Sequence, residues 1–157
     1  MAASAHTFGG GCHCGALGLT FRTALPVSAW SVRACQCGFC RAHGARTTSD
    51  PAGRLAFHAA EPALLRRYRF GLGTADFLLC ERCGVYLGAQ IETAAGAFGT
   101  LNVRALTPLP AGLPQAAPAD YGAESADERA RRRAQRWTPL EQILQPTARV
   151  SPRSNDP

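Results

Sequence analysis

The residues in this chain best suited to chemistry are its seven cysteines: Cys12, Cys14, Cys35, Cys37, Cys40, Cys80 and Cys83. They fall into three clusters, C-x-C, C-x-C-x-x-C and C-x-x-C. An odd number does not close into a disulfide set, and neighbours this near in sequence rarely make unstrained structural disulfides. In a reducing compartment such clusters are usually metal ligands. Zinc takes four ligands tetrahedrally in structural sites, and a tight C-x-C or C-x-x-C turn can place two sulfurs on one metal. Cys12 and Cys14 with Cys80 and Cys83 supply four thiolates from distant parts of the chain, enough to close one structural zinc site. Gly15 and Gly84 follow the two pairs directly, where glycine allows the backbone angles of a metal knuckle.

Cys35, Cys37 and Cys40 then remain, with no fourth cysteine. Three protein ligands and one open position describe a catalytic or ligand-binding zinc. Two alternatives stand beside that reading. His43 or His13 could complete a closed structural site. The three thiols could also act in redox chemistry without metal, although the C-x-x-C lacks the βαβ context of a thioredoxin-like motif. Arg41 and His43 follow Cys40 directly and are candidates for a cofactor-binding role beside the metal; otherwise they are a solvated arginine and a satisfied loop histidine. Little else stands out. Gly9–Gly11 is Gly-rich but lacks the Lys-Ser/Thr of a phosphate loop. The carboxylates are scattered, and none forms an evident acid/base pair.

The elements that must position these sulfurs read as short strands. Gly15–Thr23 alternates with Leu17, Leu19 and Phe21 on one face. Ala29–Cys35 repeats the pattern, and Leu64–Phe70 and Phe98–Leu106 are further strands. Asp76–Cys80 and Val85–Glu92 flank the last C-x-x-C like the arms of a hairpin. Cys35 is expected at the end of an edge strand, with Cys37 and Cys40 on the turn after it and a solvent-open face. Proline crowds the segment after Thr107, which reads as an extended connector. Ser125 and Glu128 form a capping box for an Arg-rich helix, in which Glu128 can pair with Arg132. Ala126, Ala130, Ala134 and Trp137 make its apolar stripe. A second helix start follows, with Thr138 as cap, Pro139 at the first position and Glu141 closing the box. The expected organisation is a zinc-binding domain over 1–107, a Pro-rich connector and C-terminal helices over 108–145, and a disordered tail over 146–157.

The segments GGCHCGALGLTF, CQCGFCRAHG and FLLCERCGVYLG resemble the glutathione-dependent formaldehyde-activating enzyme family, which includes centromere protein V-like proteins. The resemblance covers roughly residues 7–107. It implies an all-β fold, a small zinc-stapled Mss4-like β-tent, here followed by a short Arg-rich helix and an irregular tail. It implies structural zinc at Cys12, Cys14, Cys80 and Cys83, and a second zinc at Cys35, Cys37 and Cys40, the residues that would carry catalysis. The implied activity is that of a carbon–sulfur lyase: glutathione, or a similar thiol, condenses with formaldehyde to give S-hydroxymethylglutathione. Arg41 and Arg46 would orient the carboxylates of glutathione.

Composition sets the remaining bounds. The chain has 157 residues, one domain's worth, with 16 glycines and 11 prolines that favour turns over long helices. No apolar run approaches a membrane span and the N-terminus lacks a secretory signal, so a cytoplasmic protein is expected. All 17 basic residues are arginines. Ligand cysteines are thiolates, so with two zincs bound the formal charge of +6 falls to about +3. That weakens a nucleic-acid reading based on charge. The competing function class is a zinc-scaffold binding module that contacts nucleic acid or protein through the Arg-rich helix.

Overall fold

A computed structural model of the chain describes residues 4–145. These residues are mostly β-sheet, with eleven strands and two α-helices. Strand β1 (His6–Gly11) pairs with β2 (Leu17–Thr23), and β2 pairs with β5 (Arg54–Ala59), giving a three-stranded antiparallel sheet. Leu17, Leu19 and Phe21 of β2 are buried, as their alternation required, and Leu55 and Phe57 of β5 join them.

The larger sheet runs in the order β10 (Ala117–Ala119), β3 (Arg33–Cys35), β4 (Thr47–Thr48), β9 (Gly96–Asn102), β8 (Tyr86–Thr93), β7 (Asp76–Cys80) and β6 (Leu65–Tyr68), with β11 (Thr138–Pro139) also paired to β9. Leu78, Leu87 and Leu101 from this sheet share one cluster with the apolar residues of β2 and β5, so the main core lies between the sheets. Burying each such leucine contributes on the order of 1.5–3 kcal/mol. Trp30 closes one end of the core, edge-on to Phe8 at 4.8 Å and to Phe21 at 5.3 Å.

Several expected elements differ in extent. The strand expected over Ala29–Cys35 is only Arg33–Cys35, because a 3-10 turn over Val27–Ala29 carries Trp30 into the core. The strand expected to run to Leu106 stops at Asn102, whose side chain accepts from the Arg104 amide and starts a 3-10 turn over Val103–Ala105. The capping box is present: Ser125 Oγ accepts from the Glu128 amide and Glu128 Oε2 accepts from the Ser125 amide, opening α2 (Ala126–Arg136). Glu128 is spent on that cap. Arg132 pairs instead with Glu124, through bonds of 2.8 and 2.9 Å.

The second helix expected from Thr138 does not form. Thr138 and Pro139 pair with Gly99 and Phe98 of β9, and the Leu140 amide donates to Ala97 O. Thr138 Oγ1 accepts from the Asp50 amide at 2.8 Å, so the hydroxyl that could cap a helix is engaged across the fold. Trp137 and Leu140 are buried on either side, which holds this segment extended. Residues 146–157, expected to be a disordered tail, lie outside the described residues. No helix of the described residues is long and apolar enough to cross a membrane.

Candidate metal centres

The first cluster joins two turns. Cys12 and Cys14 lie between β1 and β2; Cys80 ends β7, and Cys83 lies in the turn before β8. Each turn closes on itself. Gly15 N donates to Cys12 O and Gly84 N to Cys80 O, with φ of 81° and 77° at the two glycines. Those angles are the reason glycine follows each pair. The Leu17 amide also donates to Cys12 Sγ at 3.2 Å. Beside the second turn, Arg82 grips Glu61 through two bonds of 2.9 and 3.0 Å. The four sulfurs lie within 4.8 Å of one another, with Cys12–Cys14 at 3.7 Å and Cys14–Cys80 at 3.5 Å. A tetrahedron built on metal–sulfur bonds of ~2.3 Å has edges of about 3.8 Å. Four soft sulfur donors at that spacing fit zinc.

The second cluster sits across the larger sheet. Cys35 ends β3, Cys37 is the N-cap of the one-turn helix α1 (Gly38–His43), and Cys40 lies within it. Cys37 Sγ accepts from the Cys40 amide at 3.4 Å. The turn expected here is thus helical, and β3 is no edge strand, since β10 runs parallel beside it. The three sulfurs lie within 4.8 Å of one another, and among the described residues no His, Asp, Glu or further Cys ligand atom joins them. His13 and His43 stand outside both groups. A hydrogen bond with Cys40 holds the Cys35 thiol down at about 5, and the same contact, with burial, drives Cys40 well above the thiol range. Burial raises Cys37 as well. Three sulfurs this close cannot all ionise unless a cation lies among them. The donor set therefore fits a bound metal here too.

Two adjoining cavities border the triad. One, of ≈ 130 Å³, is reached by Cys35 and Cys37 and walled by Phe70, Phe77, Tyr121 and Arg129. The other, of ≈ 60 Å³, is reached by Cys35 and Cys40 and walled by Arg33, Tyr86 and Trp137. Arg132 and Arg133 line both. Neither Arg41 nor His43, expected beside the metal, lines either cavity. Arg41 is exposed, and His43 stacks on Phe39 at 4.3 Å. Arg46 donates to the neighbouring Ala45 O. The arginines beside the triad come instead from α2 and β3. The sequence pattern of α2 marks only its alanines and Trp137 as inward-facing. One sequence signal could have marked Arg133: its neighbours at three and four residues on either side are Arg129, Ala130, Arg136 and Trp137, with no acid among them.

The chain is similar to a Rhodobacter sphaeroides protein whose crystal structure was determined in structural genomics work. The two share 29% identity with a TM-score of 0.54, over 71% of this chain and 99% of that one. No family model and no curated protein matches the chain.

Proposed function

We propose that the chain is a zinc-dependent carbon–sulfur lyase-type enzyme that joins glutathione or a smaller thiol to formaldehyde or another small aldehyde. On this reading the β domain is an Mss4-like β-tent of the glutathione-dependent formaldehyde-activating enzyme family. The observation that carries the proposal is the triad. Three thiols converge with no fourth ligand among the described residues, and they border a cavity. The convergence of the outer four cysteines supports the same family reading, because it pairs the clusters in the order the resemblance implies.

In the reaction the thiol sulfur bonds to the carbonyl carbon, the C=O π bond breaks, and the thiol proton ends on the new hydroxyl. A metal held by Cys35, Cys37 and Cys40 would supply Lewis acidity, favouring thiolate over thiol and polarising the carbonyl. The chain's own contribution is to bind and orient. Phe70 and Phe77 give the cavity an apolar wall that limits water around the reacting atoms. Its ≈ 130 Å³ is well below the roughly 300 Å³ at which drug-sized ligand pockets begin, so it takes a small thiol whole or the cysteinyl end of a tripeptide. The binding-module alternative loses support, because α2 turns Arg129, Arg132 and Arg133 toward the cavities and leaves Arg131 and Arg136 exposed.

The test is the rate of adduct exchange between ¹³C-formaldehyde and glutathione, or a cysteine-sized thiol, followed by NMR on the zinc-loaded chain. Acceleration over the spontaneous rate is expected, with loss in Cys40→Ser. No acceleration with any thiol, or full activity in the variant, would refute the proposal.

A further inference from the structure

Arg133 is the least ordinary charged residue in the fold. It is 7% exposed, and among the described residues it forms no salt bridge. Its Nη1 donates to Thr74 Oγ1 at 2.8 Å and its guanidinium lies 5.0 Å from the Trp137 ring centroid, but its Nε is buried without an acceptor. Arg129 Nε is likewise buried without a hydrogen-bond acceptor; Glu124 Oε1 lies 3.8 Å from it, and its Nη2 donates to Tyr121 O at 2.6 Å. A buried cation without a counter-charge is costly, and a fold retains one chiefly where something else supplies the charge.

The neighbouring groups do not supply it. Arg33, Arg129, Arg132 and Arg133 all border the cavities. Glu124 is bound through both oxygens by Arg132, whose guanidinium also lies 3.6 Å over the Tyr121 ring, so this one carboxylate is shared between Arg132 and Arg129. Asp120 lines the larger cavity but is exposed, and its Oδ1 accepts from the Gly122 amide. Arg33 donates to the neutral hydroxyls of Ser49 and Thr100. A zinc-bound triad would carry one net negative charge. Four guanidinium groups therefore outnumber the anions around them. Burial, reinforced by Arg132 and Arg129, lowers the Arg133 guanidinium to about 10, the mark of a cation held among cations.

We infer that Arg129 and Arg133 form an oxyanion subsite in the cavity beside Cys35 and Cys37, which receives the carboxylate of a small thiol acid whose sulfur faces the triad. The thiol half of this inference rests on the function proposed above; the oxyanion half rests on the arginines alone. The helix that carries them lies beyond residues 7–107, the span of the sequence resemblance. The subsite would let this chain select a small acidic thiol over a neutral one. Guanidinium groups suit a carboxylate because their forked donors can meet both oxygens.

Calorimetry on the zinc-loaded chain, with metal content measured alongside, tests the inference. The probes are 3-mercaptopropionate, 2-mercaptoethanol, acetate and inorganic phosphate, on wild type, Arg133→Met and Arg129→Gln. Charge-assisted bonds to a buried carboxylate should make the acid thiol bind about tenfold more tightly than the neutral one. That ratio should fall toward one in Arg133→Met and shrink in Arg129→Gln, which serves alone if the first variant does not fold. Equal affinity of the two thiols for wild type would overturn the inference, as would a ratio that survives both substitutions. Binding of phosphate without acetate or the acid thiol would overturn the carboxylate assignment. If neither thiol binds but acetate binds wild type and not the variants, the triad reading fails and the oxyanion subsite stands. If no probe binds, both fall.

Discussion

The two cysteine clusters use the same ligand in opposite settings. At Cys12, Cys14, Cys80 and Cys83 four sulfurs gather that could hold a metal ion between them, and two glycine-closed turns join the small sheet to the large one. At Cys35, Cys37 and Cys40 the set stops at three, and the space beyond is bordered by arginines and aromatic rings. The contrast extends to the charges nearby. Arg82 beside the first cluster is matched by Glu61, whereas Arg133 beside the second has no acid partner among the described residues. A region whose polar groups are all satisfied contributes to stability. A region that leaves a ligand position open and a buried cation unmatched gives up stability, a cost that the proposed binding role would account for.

The largest expected effect breaks the first half of this comparison. Cys80 is 2% exposed and its cluster links the first turn of the chain to the β7–β8 hairpin. Metal binding at a closed structural site is folding energy, on the order of 10 kcal/mol in small zinc domains. Cys80→Ser should therefore abolish cooperative unfolding and release the metal from that site. Cys40→Ser should leave a cooperatively folded chain that binds one zinc fewer. Thermal melts paired with metal counts check both. A Cys40→Ser chain as unfolded as Cys80→Ser would mean that both clusters are structural.

How far sequence could see these two regions differs as well. The closed cluster was legible in full, because C-x-C and C-x-x-C spacing fixes ligand geometry locally and glycine marks the turns. Strand β2, with its clean alternation, and β7, which stands as one arm of the hairpin around the last C-x-x-C, were also legible. Strand β1 was not, since its Gly9–Gly11 run has no side chains to alternate and is held by its ladder with β2. Thr138–Leu140 carried a sound helix-start signal that a free edge of β9 overrode. Around the triad only the ligands were legible. Most of the charge around it comes from α2, which lies nearly a hundred residues away in sequence and whose inward face carries arginine where periodicity looks for apolar residues.

A second prediction sharpens the contrast at Arg133. Replacing an unmatched buried cation with an apolar side chain of similar length removes its desolvation cost, so Arg133→Met should be more stable than wild type by about 1–3 kcal/mol. The lost bond to Thr74 offsets part of that gain. Denaturant unfolding without added anion measures it. A destabilised Arg133→Met would show that the arginine is structural, on a par with Arg82.

The smallest effect concerns the arginine beside it that does have a partner. Arg132 holds Glu124 through two short bonds, and that contact lowers the Glu124 carboxyl below its ordinary 4.5, with further help from the charges of Arg129 and Arg133. A carboxyl whose folded value lies below its unfolded one adds stability at pH above the unfolded value and loses it as pH falls through the folded value. Glu124→Gln should therefore cost about 1 kcal/mol at pH 7, where the pair is four-fifths shielded from solvent yet still open to screening. The cost should hold steady down to about pH 5 and fade below 4.5, as wild type loses the same charge. Unfolding curves for both chains across this range measure the difference. A cost that stayed constant at low pH would mean that the hydrogen bonds matter and the charge does not. Arg132 would then be no better compensated electrically than Arg133, and the difference drawn between the two neighbouring arginines would disappear.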